Sequence, residues 1–292
     1  MANSRIVFAL SWLLLIAGCA DEYSPRVICH NSNCVEPASP DDDDTLEALA
    51  ASLALEGEDG RPLIDGVEID TFWYGATNRC LFAHDLADPT RADDAPAAVA
   101  LINDFLSERA GDGRHTTRQA EEFSVFIELK GHVALSKADK HSPAQRQQHA
   151  ACAIGLGQSL AQSATLAGYR VELIYTSFDP LLLAALHADS GFGPLKSGPT
   201  RTRLGILQGI RRPLDSQTEP LSAFPKELDI DFISVHPQWI RSADRHAFAS
   251  RGFELGYWMF SLVPETLHAI EAHRPSYVTT SEARAFVRWL SR

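Results

Sequence analysis

A chain of 292 residues, 45% of them hydrophobic, has enough apolar material for one large core, and an α/β barrel of ~250 residues is within its reach. Its net charge of −12 argues against nucleic acid or anionic lipid headgroups as broadly electrostatic partners. A polyanionic ligand would need a local cation, which is a first pointer to a metal.

The N-terminus reads as a targeting segment. Arg5 forms a small basic region, and Ile6 to Ile16 is apolar but far short of the ~20 residues that span a bilayer. The run ends Leu15-Ile16-Ala17-Gly18-Cys19, which resembles the lipobox of bacterial lipoproteins. That resemblance implies a signal peptide over 1–18, lipidation of Cys19 and an exported protein of the cell envelope. Ala20 favours the outer membrane. An ordinary signal peptide that happens to contain a cysteine is the alternative. Residues 19–25 are then a short tether.

Residues Arg26 to Cys29 predict a first strand that ends on His30. The loop from Cys34 to Asp44 carries two prolines and four consecutive aspartates. Asp44 is the expected N-cap of a helix over 45–55, with Glu47 at the capping-box position. Over 66–70, Val67 and Ile69 alternate with Glu68 and Asp70, so the two carboxylates share one strand face, roughly 6.5–7 Å apart along the chain. Burying both is costly unless something cationic satisfies them. Taken alone this is an edge strand with one wet face. The turn Gly75-Ala-Thr-Asn78 and the run Cys80-Leu-Phe-Ala83 continue it as a hairpin ending on His84-Asp85, which suggests a metal-plus-acid/base unit.

A helix is expected over 95–109, then a strand over 123–131 in which Glu128 and Lys130 share a face. A helix over 143–168 leads to a strand over 171–176, and Ser177-Phe-Asp-Pro180 opens another helix. Strands over 203–207, 230–235, 254–259 and 277–279 follow, with helical stretches near 240–250, 264–273 and 281–290. Eight short strands alternating with helices predict a single, somewhat irregular (β/α)8 TIM barrel over residues 26–292. Chemistry in such barrels sits beyond the C-terminal ends of the strands. His30, Asp70, His84, Lys130, Ser177, His236 and Trp258 all fall there.

In an oxidising compartment Cys29, Cys34, Cys80 and Cys152 allow three complete pairings. Cys34 and Cys80 both lie in loops placed beside the site, so that bridge is preferred. Cys152, in an apolar helical stretch, reads as a buried thiol. The absence of a CxxC pair argues against structural zinc.

His30, Gly66-Val-Glu68-Ile-Asp70, Phe82-Ala-His84-Asp85, Ile127-Glu128-Leu-Lys130, Ser177-Phe-Asp179 and Gly256-Tyr-Trp258 resemble, in order, the motifs of the phospholipase-C-like phosphodiesterases. That superfamily includes the glycerophosphodiester phosphodiesterases and the sphingomyelinase D-like enzymes. The resemblance implies a phosphoric diester hydrolase acting on a glycerophosphodiester, a lysophospholipid or a related diester. It implies a hard divalent cation, Mg²⁺ or Ca²⁺, with Glu68, Asp70 and Glu128 as ligands and Asp44 as a fourth. His30 would take a proton from a substrate hydroxyl, His84 would give one to the departing alcohol, and a cyclic phosphate could result. Lys130 would pair with Glu128 or a phosphate oxygen, with Trp258, Ser177 and His236 lining the substrate. The sequence departs from the glycerophosphodiester enzymes at Asn31-Ser32, where they have Arg-Gly, and at Asp43-Asp44-Thr45, where they have Glu-Asn-Thr. The 42 residues between Asp85 and Glu128 also leave little room for their insertion. These differences tilt the reading toward the sphingomyelinase D-like branch.

Two rival readings stand beside this one: a degenerate barrel lipoprotein that only binds, and a zinc amidohydrolase, whose strand-one His-x-His pair is absent here. A monomer with a membrane anchor, a small-molecule diester and no nucleic-acid partner completes the expectation. No P-loop, dinucleotide fingerprint or Gly-x-Ser-x-Gly elbow is present.

Overall fold

The structure, a computed structural model, describes residues 23–36, 42–84, 89–119, 122–131, 142–208, 228–240, 246, 248–259 and 261–292. Cys19 and its targeting segment, Asp41, Asp85 and part of the helix expected near 240–250 lie outside the described residues. Among the described residues the strands are β1 (Arg26–Cys29), β2 (Gly66–Tyr74), β3 (Arg79–Phe82), β4 (Asp93–Asp94), β5 (Phe123–Leu129), β6 (Val171–Ser177), β7 (Arg201–Gln208), β8 (Phe232–Val235), β9 (Glu254–Met259) and β10 (Tyr277–Thr280). The α-helices are α1 (Leu46–Leu53), α2 (Ala95–Gly111), α3 (Pro143–Ala167), α4 (Pro180–Ala188), α5 (Phe192–Ser197), α6 (Pro264–His273) and α7 (Ala283–Leu290).

Local chemistry explains most of the helix starts. Pro96, Pro143, Pro180 and Pro264 each sit in a first turn, where a missing N–H costs nothing. Ser142 and Gln145 form a full capping box on α3, and Gly168, at φ 77°, ends it in the left-handed conformation.

Eight parallel strands run in the order β1-β10-β9-β8-β7-β6-β5-β2 and close through β1–β2, in register at Ile28↔Gly66. This is the expected (β/α)8 barrel. β3 and β4 add to β2 as an antiparallel flap. Strand alternation splits every strand into two faces. Val27, Val67, Val125, Leu173, Ile233 and Val278 point outward into the large core shared with the helices. Ile28, Phe126, Ile174, Phe232 and Tyr277 point inward and pack as a separate cluster. Phe126, Phe232 and Tyr277 meet edge-to-face, with centroids 5.3–5.7 Å apart. Phe232 occupies space that two glycines leave open: a Cβ at Gly256 would lie 2.1 Å from Phe232 Cζ, and one at Gly205 would lie 2.7 Å from its Cδ1.

Below the aromatic layer, toward the strands' N-terminal ends, a polar layer seals the barrel. Glu172 accepts from Arg26 Nη1 at 2.6 Å and from Tyr277 Oη at 2.9 Å, and Arg203 Nη1 lies 3.5 Å from it. The chain enters at this end. Tyr23 donates to Pro275 O at 2.8 Å, while Arg118 and Gln119 donate to Pro25 O at 2.8 and 3.2 Å. With the floor closed, the inward-facing Glu68, Asp70 and Glu128 lie on the other side of the aromatic layer, toward the C-terminal ends of β2 and β5.

The disulfides correct the expected Cys34–Cys80 bridge. Cys29 pairs with Cys34 and Cys80 with Cys152, so Cys152 is not a free thiol. Cys29 ends β1 on its outward face, and a tight turn brings Cys34 back to it. Cys80 lies on β3, and Cys152 reaches it from α3, which packs against the neighbouring β2. Sharing one end of a barrel did not bring Cys34 and Cys80 together.

Candidate active site at the barrel mouth

The inward register of β2 and β5 brings Glu68, Asp70 and Glu128 together. All three are buried, and one carboxylate oxygen from each lies within 4.8 Å of the others. Lys130 follows β5 on the same face and places Nζ 2.7 Å from Asp70 Oδ2 and 3.1 Å from Glu128 Oε1. Asp44 comes from the loop before α1. Contrary to expectation it is not the N-cap: Thr45 caps α1 by accepting from Ala48 N–H, which leaves Glu47 outside the capping-box position. Asp44 instead takes φ 54° and turns inward, where its Oδ1 accepts from Asp70 N–H at 3.2 Å. Its other oxygen and Asp70 Oδ1 are buried without a hydrogen-bond partner.

His30 opens a short 3₁₀ turn at the end of β1. Its Nε2 lies 3.9 Å from Glu68 Oε2, and its Nδ1 is 3.3 Å from Ser281 Oγ. Asn31 and Ser32 both adopt left-handed φ, at 47° and 56°, although neither is glycine. Such conformations cost an L-residue about 1–2 kcal/mol each, and side-chain contacts offset the strain. Ser32 Oγ donates to Glu68 O at 2.7 Å, and Asn31 and Asn33 both donate to the Asp43 carboxylate at 3.0 Å. Asn31 N–H then points at Glu68 Oε2, 3.4 Å away. His84, two residues beyond β3, is exposed, and the preceding Ala83 N–H donates to Asp70 O at 3.2 Å. The hairpin therefore brings His84 to the rim beside Asp70, close enough for its charge to act on His30.

The electrostatics follow from crowding four carboxylates around one ammonium. Burial, then the charge of Asp70, raises both Asp44 and Glu68 well above the usual carboxylate range. Burial lifts Glu128 to about 8 even though Lys130 opposes the shift. Desolvation works against the Lys130 ammonium, but Asp70, Glu128 and Glu68 outweigh it and raise its pKa. Burial pushes His30 down to about 3 despite the pull of Asp70. Oxygen-only donors in excess of local positive charge suit a hard divalent cation. The residues present fit such an ion.

The remaining predicted residues divide. Trp258 points inward from β9 and packs edge-on against Phe178 at 6.0 Å and His236 at 5.4 Å, forming an aromatic wall. His236 Nδ1 also accepts from Gln238 N–H at 3.3 Å, and burial lowers its pKa. Ser177 lies on the opposite strand face. It is fully buried, donates to Leu129 O at 2.6 Å and accepts from Asp179 N–H at 3.0 Å, so it fastens the strand end and does not line the mouth. Its parity with Val171, Leu173 and Tyr175 was the available signal. Sequence reasoning missed Asp43, Asn33 and Ser281, which support the His30 turn, and Phe178. It also missed the link from α3 in which Thr71 Oγ1 donates to Glu128 O at 2.8 Å and sits 3.0 Å from His149 Nε2.

Fold and site together define a closed parallel barrel with a carboxylate-rich mouth. No protein-family model and no curated protein matches the chain. Solved structures do, among them several glycerophosphodiester phosphodiesterases. One from Parabacteroides distasonis is 12% identical with a TM-score of 0.57, over 92% of this chain and 98% of its own. An Oleispira antarctica phosphodiesterase, solved in complex with the product sn-glycerol-3-phosphate, is 14% identical with a TM-score of 0.57, over 92% and 97%. One from Thermotoga maritima is 18% identical with a TM-score of 0.50, over 91% and 98%. At these identities the likeness establishes the fold.

Proposed function

We propose that the protein is a divalent-cation-dependent phosphodiesterase acting on a glycerophosphodiester, a lysophospholipid or a related diester. The observation that carries this reading is the convergence of Glu68, Asp70 and Glu128 within 4.8 Å, with Lys130 paired to two of them and His30 alongside. Mg²⁺ or Ca²⁺ held by Glu68, Asp70 and Glu128, with Asp44 beside them, would neutralise charge on the nonbridging phosphate oxygens. Lys130 holds Asp70 and Glu128 in place and adds positive charge near the same oxygens. Burial keeps His30 neutral at pH 7, the state a base needs. His30 accepts the proton of a substrate hydroxyl next to the phosphate, and that oxygen attacks phosphorus. The P–O bond to the leaving alcohol breaks, and His84 gives the departing oxygen its proton. The products are a cyclic phosphate and an alcohol. Water opens the ring if the reaction runs on to hydrolysis. Trp258, Phe178 and His236 form an apolar wall for the substrate body.

The test is turnover of a panel of glycerophosphodiesters and lysophospholipids with and without divalent cation. EDTA should abolish activity, Mg²⁺ or Ca²⁺ should restore it, and His30→Ala or His84→Ala should remove it while circular dichroism is unchanged. Near-wild-type rates in either variant would rule out the assigned roles.

The localisation belongs to the same proposal: an envelope lipoprotein anchored through Cys19, working as a monomer. What supports the geometry is the seating of Tyr23, Ser24 and Pro25 against the closed end of the barrel. A tether of a few residues from that end would turn the mouth away from the anchoring membrane. Incorporation of labelled palmitate that Cys19→Ser abolishes is the check.

A further inference from the structure

Granting the phosphodiesterase reading, we propose that the Cys29–Cys34 disulfide is the positioning device for His30, holding the turn that presents the imidazole and the Asn31 N–H to Glu68. The bridge joins the two ends of that turn. Between them the chain makes two consecutive left-handed steps at non-glycine residues, Asn31 and Ser32, and closes with Asn33 N–H donating to His30 O at 2.9 Å. A free chain avoids such a pair of steps, because each places Cβ against the following carbonyl. Cys34 is itself fixed from two directions. Its N–H donates to Ser52 Oγ of α1 at 2.9 Å, and its Sγ lies 3.5 Å from Thr280 O of β10. The covalent link therefore ties the end of β1 to a point held by a helix and a neighbouring strand. The polar contacts at Asp43 are partly exposed and open to competition from water, whereas both sulfurs are buried. The second disulfide, Cys80–Cys152, joins β3 to α3 and does not touch the turn.

The experiment compares wild type with Cys29→Ala/Cys34→Ala and, as control, Cys80→Ala/Cys152→Ala. Carbethoxylation of His30 by diethyl pyrocarbonate, followed by peptide mass spectrometry, reads the position of the ring without reference to turnover. The expected result is several-fold faster labelling of His30 in the first variant only, with unchanged far-UV circular dichroism. A catalytic group displaced by ~1 Å loses on the order of a hundredfold in rate, so kcat should fall by about that much with KM little changed. Adding Ser32→Gly, which removes the Cβ that opposes the left-handed step, should restore shielding and part of kcat. Unchanged labelling in the double variant would overturn the proposal. Should that variant not fold, the triple variant decides. If it folds with His30 shielded, the proposal stands; if it also fails, the bridge serves the barrel and the proposal falls. Altered labelling in a protein that cleaves no diester would refute the enzymatic reading and leave the positioning role intact.

Discussion

Replacing Lys130 with Met removes the one ammonium among four buried carboxylates. At an effective dielectric of ~20, contacts of 2.7 and 3.1 Å correspond to roughly 6 and 5 kcal/mol of gross attraction. Desolvation and proton uptake by the orphaned acids cancel much of that. Breaking a buried pair from one side typically costs about 3–5 kcal/mol net. For a chain of this size each kcal/mol moves Tm by ~2–4 °C, so metal-free Lys130→Met should melt roughly 6–20 °C below wild type. The assay is thermal unfolding by circular dichroism at pH 7.5 in EDTA, repeated with Mg²⁺ and with Ca²⁺. A cation at a hundred times its Kd stabilises by about 2.7 kcal/mol. Because the variant site is more negative, the cation-induced rise in Tm should be larger in Lys130→Met than in wild type. Equal Tm values in EDTA, or a smaller cation response in the variant, would refute the view that Lys130 stands in for missing positive charge.

Other outcomes follow from the same geometry. Glu128 carries a proton in the folded state up to about pH 8, against an ordinary value of 4.5, so the folded form binds more protons than the unfolded one across that window. Metal-free stability should therefore fall as pH rises from 6.5 to 8, where the opposing His30 effect, confined below 6.5, is silent. Urea titrations at several pH values measure this, and excess cation should flatten the slope. Gly256→Ala forces a Cβ onto Phe232 and should cost about 1–3 kcal/mol by denaturant unfolding, partly recovered by adding Phe232→Leu. Glu172→Ala leaves Arg26 and Arg203 without their shared carboxylate and should destabilise by about 3–5 kcal/mol, yet leave Mn²⁺ binding at the mouth, read by electron paramagnetic resonance, unchanged.

The barrel was legible because its strands obey a period of two and its helices begin at prolines and small polar caps. The same period made the acids legible: Glu68, Asp70, Glu128 and Lys130 had to share the inward face once their strands were placed. It would also have excluded Ser177, whose odd position sets it with Leu173 and Tyr175 against the helices. Asp44 was read by a local rule, as a cap, and a tertiary demand overrode that rule: the residue turns inward and leaves the capping to Thr45. The disulfides were not legible because pairing depends on Cβ vectors, which loop membership does not encode. The left-handed pair at Asn31 and Ser32 was hidden for a related reason. Neither residue is the glycine that would announce it, and the forces holding it come from Asp43 and Glu68, both remote from a local window, and from a bridge to Cys34 whose pairing the sequence left open.

Charge balance distinguishes the two ends of this barrel, both of which bury ionised groups. At the closed end Arg26, Arg201 and Arg203 meet the fully buried Glu172, Arg201 and Arg203 also pair with Glu254, and Tyr277 completes the hydrogen bonds of Glu172, so no acid of that network is left unmatched. At the open end four carboxylates face one ammonium, a deficit of three positive charges, and the structure answers with raised proton affinities at Asp44, Glu68 and Glu128. Protons can fill that deficit only by giving up the carboxylates' value as ligands. A divalent cation would fill most of it while leaving the oxygens ionised, and an anionic phosphate could then approach. Burial of charge by itself would have marked both ends alike; the unmatched acids mark only the mouth.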